Sequence, residues 1–202
     1  MSPTSAHASY LTIVMQPILF DFPEAFNTER LTIRSPRPGD GPKLFEATVE
    51  TLNELRQFPA SLPWAMESPS IENSEAFCRN GYANFAARRD FPLLMLLRGT
   101  DTIVGSGGLH NPRWSIPAFE IGWWGRTPYL GRGLITEGIE AMLGFAFSSL
   151  KARRVEAFSD DLNQASCRLC ERVGMKLEGV LRNARVDPDG TLRTTRVYSK
   201  IS

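Results

Sequence analysis

Apolar and polar residues alternate in RLTIRSP, residues 30–36, a period of two that predicts a strand ending at Pro36. Past the turn residues of RPGDG, Leu44, Phe45, Thr48, Leu52 and Leu55 recur at helical spacing and predict a helix. The segment PASLPWAMESPS, residues 59–70, is proline-rich and reads as a loop carrying Trp64, before a second helix from about Ile71 to Arg89. Three apolar segments follow, FPLLMLL, TIVGSGGLH and AFEIGWW, separated by the turns RGTD and NPRWSIP, and they predict an antiparallel meander. From Gly133 to Leu150 the residues Ile135, Ile139, Met142, Leu143, Ala146 and Leu150 form one helical stripe suited to lie on a sheet. The remainder reads as strand (RRVEAF), helix (Gln164 to Val173), strand (MKLEGVLR), turn (DPDG) and strand (TLRTTRVYSKI). The predicted class is α/β in the α+β sense, a mixed sheet with helices covering its faces.

A chain of 202 residues without repeats, low-complexity blocks or a linker suits one domain, read as residues 28–202 behind an extension over 1–27. Lys and Arg number 23 against 22 Asp and Glu, so neither a nucleic-acid footprint nor a polybasic membrane signal is expected. The cysteines Cys78, Cys167 and Cys170 are too few for a disulfide framework and favour a reducing, cytoplasmic setting. Cys167 and Cys170 form a C-x-x-C inside a helical pattern, and with His7 and His110 the only histidines no metal site is expected. The opening has no Lys or Arg before Arg30 and its apolar run is broken by Gln16 and Pro17, unlike a signal peptide or a span of about twenty apolar residues.

YLGRGLITEG, residues 129–138, puts two glycines at a strand-to-helix junction. A helix leaves its first N–H groups unpaired and partly positive, and glycine lets backbone approach a ligand closely. Gly131-Arg132-Gly133 is therefore a candidate pyrophosphate cradle, with Arg132 and Arg126 adding charge. No Gly-Lys-Ser/Thr follows, and the preceding meander is not the βαβ unit of a dinucleotide fold. Some thirty residues on, Asn163, Ser166 and Cys170 fall at i, i+3 and i+7, along one face of a short helix.

Together these segments resemble the GNAT superfamily of acyl-CoA-dependent N-acetyltransferases, most closely the RimJ/RimL branch that acetylates protein N-termini and small amines. The likeness runs from about Thr28 to Ile201. TERLTIRSPRPGD looks like the branch's opening strand, and FEIGWWGRTPYLGRGLITEG like its fourth strand and pyrophosphate loop. NQASCRLCERVGMKLEG looks like its N-x-x-S-x-x-L-x-E-x-x-G-F helix and following strand. The resemblance implies a mixed, mostly antiparallel sheet of about seven strands flanked by about four helices, splayed to admit acetyl-CoA. It implies that Leu130, Gly131, Arg132, Gly133, Leu134, Ile135 and Thr136 hold the cofactor. The backbone of Trp124 and Gly125 would pair with pantetheine and polarise the acetyl carbonyl, Asn163 would bind pantetheine amides, and Arg168 would reach the nucleotide phosphate. Against the family loop Q/R-x-x-G-x-G/A, Leu130 stands where Gln or Arg is expected and Ile135 where Gly or Ala is expected, while Met175 replaces the usual Phe. Cys170 stands where many members carry a catalytic Tyr, which directs attention to Ser166.

Acetyl transfer needs a neutral amine and a proton for the departing thiolate. Glu120 matches the branch position proposed for the base; read by itself it is also a strand glutamate facing solvent or an arginine. Ser166 is the candidate proton donor, or a serine bonded back to a helix carbonyl. Asn163 also suits a helix N-cap, and Arg168 a solvated face. His110 either lines the acceptor cleft or caps the HNPRW turn, and Trp64 and Trp114 either wall that cleft or cover the core. The expectation is a cytoplasmic acetyl-CoA-dependent enzyme acting on a small-molecule amine or a protein N-terminus in a ternary complex. A non-catalytic acyl-CoA sensor is the alternative reading. The apolar arm can dock on its own domain or on a second copy, giving a homodimer.

Overall fold

Phe91–Leu97 is apolar at every position because the strand it forms has both faces covered. Leu94 and Leu96 face a cluster with Leu44, Ala47 and Cys78, whereas Phe91, Leu93 and Met95 join the larger core with Ile139 and Met142. A computed structural model describes residues 16–202, and of the extension expected over residues 1–27 the first fifteen lie outside the described residues.

The eight strands are β1 (Ala25–Asn27), β2 (Leu31–Arg34), β3 (Phe91–Leu97), β4 (Ile103–Arg113), β5 (Ala118–Gly125), β6 (Arg154–Asp160), β7 (Lys176–Val186) and β8 (Leu192–Ile201). They form one sheet in the order β1-β2-β3-β4-β5-β6-β8-β7, antiparallel throughout except for the parallel β5–β6 pair. The helices are α1 (Gly41–Leu55), α2 (Ile71–Ala86), α3 (Leu134–Ser148) and α4 (Gln164–Arg172). α1 and Cys78 of α2 supply the smaller cluster and α3 and α4 the larger one, which Phe85 at the end of α2 also joins, so α1 and α3 lie on opposite faces of the sheet.

Two elements depart from the expected pattern. The eighth strand, β1, is three residues long and lies inside the segment set apart as an extension; it is too short to show alternation. Phe22 and Phe26 nevertheless pack on Phe145 of α3, with ring centroids 5.5 and 5.0 Å away. β4 continues to Arg113 through what reads as a turn, by way of an irregularity between His110 and Arg113. Trp114, expected at the acceptor pocket, is corrected by its surroundings: it stacks on Phe20 at 5.5 Å and meets Phe119 edge-on at 5.4 Å, in the core that α3 covers. An indole beside the three rings of Phe20, Phe91 and Phe119 gains more from burial and edge-to-face geometry than from a place on a rim.

One feature of the topology positions the site. β5 and β6 pair only at Ala118↔Arg154, Phe119↔Val155 and Glu120↔Glu156. Beyond Glu120 the two strands run on separately, β6 paired along its length with β8 and β5 with β4. The sheet is thereby split, and the β6-facing edge of Ile121 to Gly125 has no strand partner among the described residues.

Candidate active site

At the end of β5 a 3-10 turn, Thr127–Tyr129, leads through Gly131 to Gly133, the N-cap residue of α3. Both glycines are left-handed, with φ of 74° and 76°, a region that side-chain-bearing residues rarely adopt. Gly133 brings no side-chain cap, so the first N–H groups of α3 stay open to an external acceptor. A Cβ at Gly131 would meet nothing within 4 Å, and one at Gly133 would meet only Arg30 Nη2, at 3.4 Å. Open backbone amides beside a guanidinium fit the phosphate groups of an acyl-CoA.

The turn is seated from below. Leu134 and Ile135 are buried in the core, 5% and 9% exposed. The bulky Ile135, where the resemblance expects Gly or Ala, is accommodated by bare strand positions opposite it. A Cβ on Gly125 would stand 2.7 Å from both Ile135 Cγ1 and Leu130 Cδ2, and one on Gly105 would stand 2.9 Å from Ile135 Cδ1. The volume missing from the strands is the volume added on the helix. Gly125→Ala is therefore expected to destabilise the fold by about 1–3 kcal/mol, and far less in an Ile135→Ala background, as read by urea unfolding of the four chains.

β2 clamps the turn from the side. Arg30 donates through Nη1 to the Arg132 carbonyl at 2.9 Å and through Nε to Glu137 Oε2 at 2.6 Å. Glu137 Oε1 accepts from Thr28 Oγ1 at 2.5 Å and from the Arg30 backbone N–H at 2.9 Å. Burial opposes ionisation of Glu137, yet these bonds from Thr28 and Arg30 hold its carboxyl below the usual carboxylate range. Arg132 lies 5.5 Å over the Tyr129 ring. Arg126, expected to add charge to the cradle, turns the other way: it is 7% exposed and bonds Glu50 at 2.8 Å and Glu46 at 2.6 Å on α1. A buried guanidinium must be paired, and those two carboxylates, Glu50 foremost, raise its pKa.

On the α1–α2 face the split strand borders a cavity of about 620 Å³. Its lining includes Glu120, Gly122 and Trp124 of β5, Ser106 and His110 of β4, and Trp64 of the loop before α2. His110 and Glu120 are cross-strand partners, so their side chains share one face. Glu120 Oε2 accepts from Asn111 Nδ2 at 3.0 Å. Asn111 has a φ of 50° and lies at the β4 irregularity, so a kink in one strand presents an amide to the carboxylate on the next. Glu156, beside Glu120 on β6, is held by Arg113 at 2.8 Å and Arg154 at 2.9 Å. Glu120, by contrast, pairs with no cation among the described residues and keeps its lone pairs available. Asp90 Oδ1 lies 2.8 Å from His110 Nδ1 and orients that ring. Trp64 and Trp124 stand 6.5 Å apart at the apolar end.

α4 approaches the other side of the split. Asn163 caps it, its Oδ1 accepting from the Ser166 N–H at 3.1 Å. Ser166 is half-buried in the first turn, and its hydroxyl makes no bond back to the helix among the described residues. Cys170 and Cys167 are buried, and burial pushes the Cys170 thiol up to about 12. Arg168 is exposed, while Arg172 on the same helix donates to Thr136 Oγ1 at 3.4 Å and reaches the mouth of α3. Arg30, Glu137, Arg172, Asp90 and Asn111 thus join residues singled out from the sequence; of these only the Asn111-Pro112 pair carries a local signal, that of a chain irregularity.

The profile of the Acetyltransferase (GNAT) domain matches residues 30–176, and the chain belongs to that family of acyltransferases. It is 25% identical over 155 residues to the uncharacterized N-acetyltransferase YnaD of Bacillus subtilis (strain 168), covering 77% of this chain and 84% of that one. Its fold is shared with a RimL ribosomal L7/L12 alpha-N-protein acetyltransferase solved with coenzyme A, at a TM-score of 0.79 and 18% identity over 88% and 98% of the two chains. The microcin C7 self immunity acetyltransferase MccE, solved with acetyl-CoA and AMP, superposes at a TM-score of 0.75 with 19% identity over 87% and 94%.

Proposed function

We propose that the protein transfers an acetyl group from acetyl-CoA to a primary amine, small-molecule or peptide N-terminal, by direct attack in a ternary complex. The observation that carries this reading is Glu120, a carboxylate free of any cation among the described residues, on a cavity wall where β5 parts from β6. The α3 mouth with Gly131 and Gly133 would hold the pyrophosphate, Arg30 and Arg172 would add charge, and the open edge of Ile121 to Gly125 would pair with pantetheine. Acetyl-CoA supplies the thioester carbonyl that takes the amine.

An alkyl ammonium near neutral pH must lose a proton before it can attack. Glu120 takes that proton, directly or through water, while the Asn111 amide fixes the carboxylate's orientation. Ser166 Oγ donates a hydrogen bond to the departing sulfur and relays to it a proton from water, a mild demand because a thiol ionises near pH 8.5. Backbone N–H of the open β5 edge polarises the carbonyl.

Release of free CoA thiol from acetyl-CoA, followed across peptide N-termini and small amines, tests this reading; turnover on one amine class supports it. Tight acetyl-CoA binding with no turnover on any amine would favour the sensor alternative. Glu137→Gln, which loosens the Arg30 clamp, is expected to raise the acetyl-CoA Kd about tenfold by calorimetry, with a smaller change in kcat.

A further inference from the structure

The acceptor cavity is apolar where it rises from the sheet: Leu44 and Leu52 of α1, Trp64 of the loop and Phe77 of α2 stand around Trp124 of β5. Its charged lining is Glu67 and Glu120, with His110 beside them, and no lysine or arginine among the described residues lines it. Two guanidinium groups lie close by, and both are engaged. Arg56 donates to the carbonyls of Ala65 at 2.8 Å and Glu67 at 3.1 Å, and Arg185 to Ser61 Oγ at 3.1 Å. The N-terminus of α2 also reaches the cavity, but Ser70 Oγ already accepts from the Asn73 N–H at 3.0 Å and Glu72 sits in the first turn. No cationic side chain among the described residues lines the cavity to offset an anion there, and its other side-chain donors are neutral hydroxyls and amides.

Resting on the reading that this cavity takes the acceptor, we infer that the enzyme selects amines carried on an aromatic or branched apolar body with no carboxylate beside the nitrogen, and rejects the corresponding free amino acids. An ammonium entering between Glu67 and Glu120 exchanges water for carboxylates. A carboxylate on the adjacent carbon would lose its water, find no cation, and face two charges of its own sign. An aromatic body buries its faces on Trp64, Trp124 and Phe77. A polyamine leaves that apolar lining unmatched. The first residue of a peptide and an arylalkylamine both meet these requirements.

The test compares kcat/KM, from CoA thiol release, for phenylalaninamide, phenethylamine, a Phe-Ala-Ala peptide amide, glycinamide and free phenylalanine. Phenylalaninamide is expected to exceed free phenylalanine by about a hundredfold and glycinamide by about tenfold. Whether the peptide or phenethylamine is preferred tells a chain end from a small amine. Trp64 and Phe77 are 44% and 43% exposed, so their substitution leaves the core intact. Trp64→Ala and Phe77→Ala should each shrink the phenylalaninamide-to-glycinamide ratio about fivefold, and Glu67→Lys should narrow the gap between amide and free acid about tenfold. Use of free phenylalanine within about threefold of its amide, or ratios that the three variants do not move, overturns the inference while leaving the acetyltransferase reading intact. Absence of turnover on every amine, with acetyl-CoA still bound in calorimetry, overturns both.

Discussion

Glu120→Gln is expected to lower kcat by about a hundredfold or more while the acetyl-CoA Kd stays within about twofold. Glutamine keeps the shape and can still meet Asn111, but it cannot accept the amine's proton. The deficit should shrink as the pH rises, because a growing share of an alkyl amine is then neutral before it reaches the site. A merely structural glutamate would give no such convergence with pH. Stopped-assay kcat across the pH range, for both chains with one amine, reads this directly; parallel profiles would remove Glu120 from the chemistry. Its neighbour Glu156 serves as the contrast, since Arg113 and Arg154 already occupy its oxygens.

Gly133→Val should raise the acetyl-CoA Kd by about ten- to a hundredfold and lower stability by about 1–3 kcal/mol. The residue has a φ of 76° at the N-cap of α3, and a β-branched side chain is strained there whatever room surrounds it. Relaxation of that strain rotates the peptide units whose N–H groups open the helix, and it disturbs the Arg132 carbonyl that Arg30 holds. Gly144, also in α3, has open space where its Cβ would be. Gly144→Ala is expected to add about 0.5–1 kcal/mol of stability and leave binding alone, so calorimetry on the two variants separates a helix effect from a cradle effect.

Much of the site was legible because its signals are local. The Gly-x-Gly turn before an apolar stripe announces an open helix mouth, and Asn163 three residues ahead of Ser166 announces the cap of α4. In AFEIGWW, alternation alone puts Glu120, Gly122 and Trp124 on one face and Phe119 and Ile121 on the other. It does not say which of the two faces is covered by a core and which borders a cavity. Trp64 and Trp114 look alike as loop tryptophans; only packing sends one to the cavity and the other into the ring cluster with Phe20 and Phe119. Arg126 is a similar case, adjacent in sequence to the cradle and yet drawn to the carboxylates of α1.

Periodicity, turn residues and helix ends depend on neighbours within a few positions, and they account for the four helices, most of the strands and the glycine turn. Parting of β5 from β6, the Arg30–Glu137 clamp, the Asp90–His110 pair and the fit of Ile135 against Gly105 and Gly125 join residues far apart in the chain. Such contacts form only when strand register and helix packing bring distant segments together, and a local pattern is compatible with many partners until the shared core selects one.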